Sequence, residues 1–152
     1  MKNLIIIITK STVLDDVSLN SAYAGAKSND GKASFDKVAV IEQDEAMLSR
    51  FWTEMCGKIT DKLKEFVAVS SLTSDKFSLT LELSGAYDES MSQSVVEDLK
   101  AALATGVTAR WFRYTLSDRA EEWDAQSTRL LDSALSKLCH RSKPVRSNSP
   151  TL

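Results

Sequence analysis

Residues 77–84 read Phe-Ser-Leu-Thr-Leu-Glu-Leu-Ser, an alternation of apolar and polar side chains without an error over eight positions. Side chains on a strand point to opposite faces in turn, so this run predicts a strand with one buried face and one wet face. Residues 4–9, Leu-Ile-Ile-Ile-Ile-Thr, form the second strand candidate. Their β-branched side chains suit a pleated backbone, and being apolar on both faces the run expects cover on both. Two strands of this length do not make a stable sheet alone. They pair with each other against helices, or they pair with another chain, which makes oligomerisation part of the fold.

The remaining sequence is patterned for helix. Ser11 or Thr12 caps a short helical turn bearing Val13, Leu14 and Val17. Residues 27–36 are polar, with turn chemistry at Asn29-Asp30-Gly31, and read as a surface loop. The longest amphipathic helix is predicted at 43–68, with Leu48, Phe51, Trp52, Met55, Ile59, Leu63, Phe66 and Val67 on one side. Residues 70–75 end it. After Gly85, Asp88 or Ser90 caps a helix carrying Met91, Val95, Leu99 and Leu103, which Gly106 interrupts. A short helix over 108–116 brings Trp111 and Phe112 to the core, and a last helix runs from about Ser117 to about His140. The expected fold is mainly α: a bundle of four to five helices with a small β element of two short strands, about 4–9 and 77–84. Residues 1–140 form one helical domain, and 141–152 form a flexible basic tail.

Composition fits one soluble domain large enough to bury a core without staples: 152 residues, 43% hydrophobic and 26% charged, with a net charge of −2. Removing Arg141, Lys143 and Arg146 leaves 16 Lys+Arg against 21 Asp+Glu, so the body carries −5 and the tail +3. An acidic body argues against a surface built throughout for nucleic acid. Five apolar residues after Asn3 are too few for a bilayer span or an export signal, which implies synthesis in the cytoplasm and free thiols. His140 is the lone histidine, and Cys56 and Cys139 lie far apart, so no zinc-type site is expected and no metal or cofactor is assigned. The glycines at 25, 31, 57, 85 and 106 form no phosphate cradle.

Candidate catalytic groups each have a plainer structural role. His140 sits where the final helix meets the tail and suits the helix C-terminal dipole. Cys56 and Cys139 adjoin apolar neighbours and read as core or boundary residues. The acid pairs Asp15-Asp16, Asp44-Glu45 and Glu121-Glu122 fall near predicted helix starts, where the macrodipole favours negative charge. Trp111 between Arg110 and Arg113 mixes aromatic and basic character as single-strand binders do, and a core aromatic flanked by solvated arginines gives the same pattern. No catalytic residue is therefore assigned, and the chain is expected not to be an enzyme.

Several landmarks follow one another in a recognisable order. They are the N-terminal strand, Val13-Leu14-Asp15-Asp16-Val17, Tyr23-Ala24-Gly25-Ala26-Lys27, a polar loop, a long helix with Phe51-Trp52, a strand and helix, Ala109-Arg110-Trp111, Ala120-Glu121-Glu122-Trp123, and Lys143-Pro144-Val145-Arg146. This order is similar to that of small proteins of tailed phages and prophages of Bacteroidetes, and resembles in outline the helical head–tail connector proteins of the virion neck. The resemblance implies a non-enzymatic assembly role in a ring or other homo-oligomer, with portal or adjacent neck and tail proteins as further partners, in the virion or in the bacterial cytoplasm during assembly. Lys143, Pro144, Val145 and Arg146, with Tyr23 and Lys27, are the candidate partner-binding residues. The alternative expectation is a small cytoplasmic regulatory or adaptor module, binding nucleic acid through Arg110, Arg113 and the basic tail.

Overall fold

The computed structural model describes residues 1–26 and 44–144. In chain order the elements are β1 (Lys2–Thr9), α1 (Lys10–Ala26), α2 (Glu45–Lys62), β2 (Val67–Leu72), β3 (Lys76–Leu83), a 3-10 turn (Glu89–Met91), α3 (Ser92–Thr115) and α4 (Ser117–Leu138). The described residues thus hold four helices and one antiparallel sheet of three strands in the order β1-β3-β2.

Both strand predictions correspond to strands, and they pair with each other. The ladder runs from Lys2 opposite Leu83 to Thr9 opposite Lys76, so β3, the strand with the error-free alternation, lies in the middle of the sheet. Its apolar positions Phe77, Leu79, Leu81 and Leu83 are buried, together with Ile6 and Ile8 of β1. The helices cover that face. Trp52 of α2 meets Phe77 edge-on at 6.5 Å, and Val13, Val17, Met55, Ile59, Leu99 and Leu103 belong to the same core. The described architecture is therefore mainly helical, four helices with a small antiparallel sheet whose buried face they cover, and the sheet has one strand more than the two expected.

Four expectations need correction. The long helix ends at Lys62 and not at 68. Phe66 and Val67 continue its apolar period by coincidence, but the chain turns at Leu63 and enters β2, a third strand that the reading of 70–75 as a terminator had hidden. β2 and β3 form a hairpin whose turn is held by Thr73: its Oγ1 accepts the Lys76 N–H at 3.1 Å, and its own N–H donates to the Lys76 carbonyl at 2.9 Å. Second, Gly106 does not interrupt a helix, because α3 is continuous over 24 residues. A Cβ at Gly106 would lie 2.5 Å from Met55 Cε, so the glycine serves the close crossing of α3 and α2. Third, α1 runs for 17 residues rather than one turn. Fourth, β1 is covered on one face only. Ile6 and Ile8 are 1% and 3% exposed, whereas Ile5 and Ile7 are 67% and 58% exposed.

α3 and α4 lie antiparallel. Phe112 meets Trp123 at 5.9 Å, the Ser127 hydroxyl donates to the Ala102 carbonyl at 2.8 Å, and Lys137 Nζ reaches Asp98 Oδ2 at 2.7 Å and Ser94 Oγ at 2.6 Å. Beyond α4 the backbone is held for longer than a free tail from 141 would suggest. Asp88 N–H donates to the His140 carbonyl, and Ser142 N–H donates to the Ala86 carbonyl, with Tyr87 and Arg141 facing each other between them.

Candidate functional site

Among the described residues, the sheet presents an apolar outer face and an edge strand, β1, paired on one side only. Its phase follows from two backbone bonds. Lys10 N–H donates to the Asp75 carbonyl at 2.8 Å, and Glu82 N–H donates to the Phe66 carbonyl at 2.7 Å. In an antiparallel ladder residues alternate between bonding one neighbour and the other. Even-numbered residues of β1 therefore bond β3, and the backbone groups of Asn3, Ile5 and Ile7, with the N–H of Thr9, point away from the sheet, toward the side of β1 that no other described strand pairs; the Thr9 carbonyl heads α1.

The same four side chains stand on the outer face, all exposed. Ile5 lies opposite Thr80, which lies opposite Val69 of β2, itself 61% exposed. Ile7 continues the apolar row beside Ser78. Scattered exposed apolar residues need no explanation. Here, however, two isoleucines fall on one edge strand that carries none of the usual guards against pairing. β1 has no proline, no break in its register with β3, and no charge among residues 3–9. The other edge, β2, is guarded: its register shifts between Val67 and Val69, and Ser70 and Ser71 follow.

Of the partner-binding residues expected from sequence, Tyr23, Lys143 and Pro144 are among the described residues. Tyr23 is exposed in the last part of α1. That end of α1 meets α3 near Thr108, where Asn20 Nδ2 donates to Thr108 Oγ1 at 3.3 Å. Lys143 and Pro144 are exposed after Ser142, at the end of α3 where Tyr87 meets Ser92 at 3.1 Å. Sixteen helical residues separate those two ends, about 24 Å at 1.5 Å per residue. Lys27, Val145 and Arg146 lie outside the described residues.

His140 Nε2 lies 3.6 Å from Asp88 Oδ2. The Asp88 carboxyl is held below its ordinary value, first by the Ser90 hydroxyl and then by the Ser90 N–H, with His140 contributing less. Burial pushes the Cys56 thiol up to about 12, so it carries no thiolate at neutral pH, while Cys139 is exposed. Arg110 Nε pairs with Glu54 Oε2 at 3.1 Å, Arg113 reaches Asp124 at 3.8 Å, and Trp111 is buried. These arginines are thus matched by acids, and the tryptophan ring is not presented as a stacking surface. Of the acid pairs, Asp44-Glu45 flanks a helix start as expected. Asp15-Asp16 and Glu121-Glu122 lie beyond the first turns of α1 and α4, so the macrodipole does not account for them. An open groove of about 470 Å³ at the end of β1 is lined by Thr9, Lys10, Ser11, Leu14, Glu45, Ser74 and Asp75.

Sequence reading found β1 but not its exposed face, and it missed Val69 altogether. The signal available was the β-branched pair Val67 and Val69 immediately before a turn rich in Thr, Ser and Asp. Compared with protein-family models, curated proteins and solved structures, the chain finds no match.

Proposed function

We propose that this protein is a non-enzymatic assembly subunit that works through contacts between its own copies. The observation that carries this reading is the unguarded edge of β1 with Ile5 and Ile7 exposed beside it. An edge of this kind is a template for another strand, and it is retained at the risk of aggregation unless pairing is its use. The order of landmarks that resembles head–tail connector proteins supplies a setting. In that setting the subunit joins a ring in the neck of a tailed phage, and the segment from Lys143 to Arg146 docks on a portal or neighbouring neck or tail protein.

Sedimentation velocity of the full chain from about 1 to 200 μM tests the reading. Self-association with an unchanged far-ultraviolet circular dichroism spectrum is the expected result, and a monomer at every concentration overturns it. Gene neighbourhood tests the setting separately: flanking portal, capsid or tail genes support it, and an unrelated metabolic cluster counts against it.

A further inference from the structure

Resting on the reading of the protein as a self-associating subunit, we infer that two copies join edge to edge through β1, antiparallel and centred on Ile6, to make one continuous six-stranded sheet. The partner is argued from the strand's own symmetry. A two-fold axis normal to the sheet keeps both outer faces on one side, so only odd-numbered residues of one β1 can bond odd-numbered residues of the other. Centring on Ile6 sets Ile5 opposite Ile7 of the second copy, Ile7 opposite Ile5, and Asn3 opposite Thr9 at each end. The outward series polar, Ile, Ile, polar reads the same in both directions. That self-complementarity is what an isologous contact requires and what a foreign strand would not need.

The strand itself brings no charge into this register, and the like-charged lysines at its two ends oppose it weakly. No acidic or basic side chain of residues 3–9 is brought into the junction. Lys2 and Lys10 fall opposite each other at its ends, and each ammonium is already engaged within its own chain: Lys2 Nζ donates to the Tyr87 carbonyl at 2.9 Å, and Lys10 Nζ donates to Ser49 Oγ at 2.7 Å. The open backbone groups of Ile5 and Ile7 gain partners and the Thr9 N–H meets the Asn3 carbonyl, while the Thr9 carbonyl stays with α1; the four outer isoleucines of the two copies form one apolar cluster. A single-strand junction is at the small end of specific interfaces, below about 1,200 Å², so the association is concentration-dependent rather than permanent. It closes at two copies, and the ring that the connector likeness implies then needs a second, head-to-tail contact elsewhere.

Disulfide trapping tests the register on the full chain. Asn3→Cys and Thr9→Cys are made separately in a Cys139→Ser background, leaving buried Cys56 in place, and are mixed at about 100 μM under mild oxidation. Opposed residues in this register have Cα atoms about 5.5 Å apart, within disulfide reach, whereas two copies of residue 3 are separated by about 20 Å. The mixed disulfide is expected to exceed the Asn3→Cys homodisulfide at least tenfold. Ile5→Lys is expected to weaken the association measured by sedimentation at least tenfold, while Val69→Lys, on the same face but beside the far edge, leaves it unchanged. Circular dichroism spectra that match wild type show that each variant folds. Equal homodisulfide and mixed disulfide overturns the register. Equal loss from Val69→Lys overturns edge pairing in favour of stacking of the outer faces. Association that survives Ile5→Lys overturns the inference and leaves self-association standing, and a wild-type monomer throughout removes both.

Discussion

Replacing Gly106 with alanine sets two effects of similar size against each other, and their balance distinguishes a glycine that merely softens a helix from one that allows a close crossing. In an ordinary helix interior the added methyl group would stabilise by about 1 kcal/mol. At this position the new Cβ would lie 2.5 Å from Met55 Cε, 2.6 Å from Met55 Sδ and 3.0 Å from Ser127 Oγ. Methionine ends usually swing aside at low cost. This one is enclosed, since Met55 is fully buried and its sulfur lies 2.7 Å from Arg110 Nη1. Ser127 is equally fixed by its bond to the Ala102 carbonyl. Overpacking of that kind costs about 1–3 kcal/mol. Against the propensity gain, the expected net effect of Gly106→Ala is a loss of about 1 kcal/mol, or about 2–4 °C in Tm for a domain of this size. Urea denaturation of wild type, Gly106→Ala, Met55→Ala and the double variant forms a thermodynamic cycle. Met55→Ala alone is expected to cost about 2–5 kcal/mol, and in that background Gly106→Ala becomes stabilising. If Gly106→Ala stabilises the wild type by about 1 kcal/mol, the close crossing does not govern this position and the reasoning fails.

Two further results are expected from the chemistry of the described groups. A thiol reagent at neutral pH should modify one cysteine rapidly, Cys139, and reach Cys56 only on unfolding; fast modification of two thiols in the native protein contradicts the burial that raises the Cys56 pKa. Ser90→Ala should raise the Asp88 pKa toward the ordinary carboxylate value in a carboxyl NMR titration, because the Ser90 hydroxyl is the first cause of its lowering. For a carboxylate with a lowered folded value, the stabilising contribution is present above the unfolded pKa and is lost as pH falls through the folded one. The Asp88 turn should therefore loosen on acidification below about pH 4 rather than near neutrality, and an unshifted Asp88 in the variant would show that Ser90 is not the cause.

How much of the fold could be read from sequence depended on whether the pattern was local. β3 was legible because its alternation is set by a single wet face and a single dry face. β1 was legible as a strand but not in its surroundings: a wholly apolar run looks the same whether its second face is covered by a helix or left open. β2 was obscured because Phe66 and Val67 fall in phase with the helix before them, so helical period and strand propensity overlapped there. Gly106 was misread for a related reason, since a helix-weakening residue and a packing notch look identical in sequence, and only the position of Met55 separates them. The likeness in the order of landmarks carried no spatial information, and distance along the chain did not tell that α1 meets α3 near Thr108 while Ser142, next to Lys143, bonds Ala86 ahead of the start of α3. The open edge itself needed the register of Lys10 with Asp75 before its free backbone groups could be assigned to odd-numbered residues.

Amide hydrogen exchange at β1, followed by NMR as a function of protein concentration, tests the central claim most directly. Leu4, Ile6 and Ile8 bond β3 and should be protected at every concentration. The N–H groups of Ile5, Ile7 and Thr9 face the open side, so the account predicts fast exchange in dilute protein and protection that rises together at these three residues as copies pair. Fast exchange at all three under conditions where the protein is demonstrably associated, or protection already complete in the dilute monomer, would contradict it.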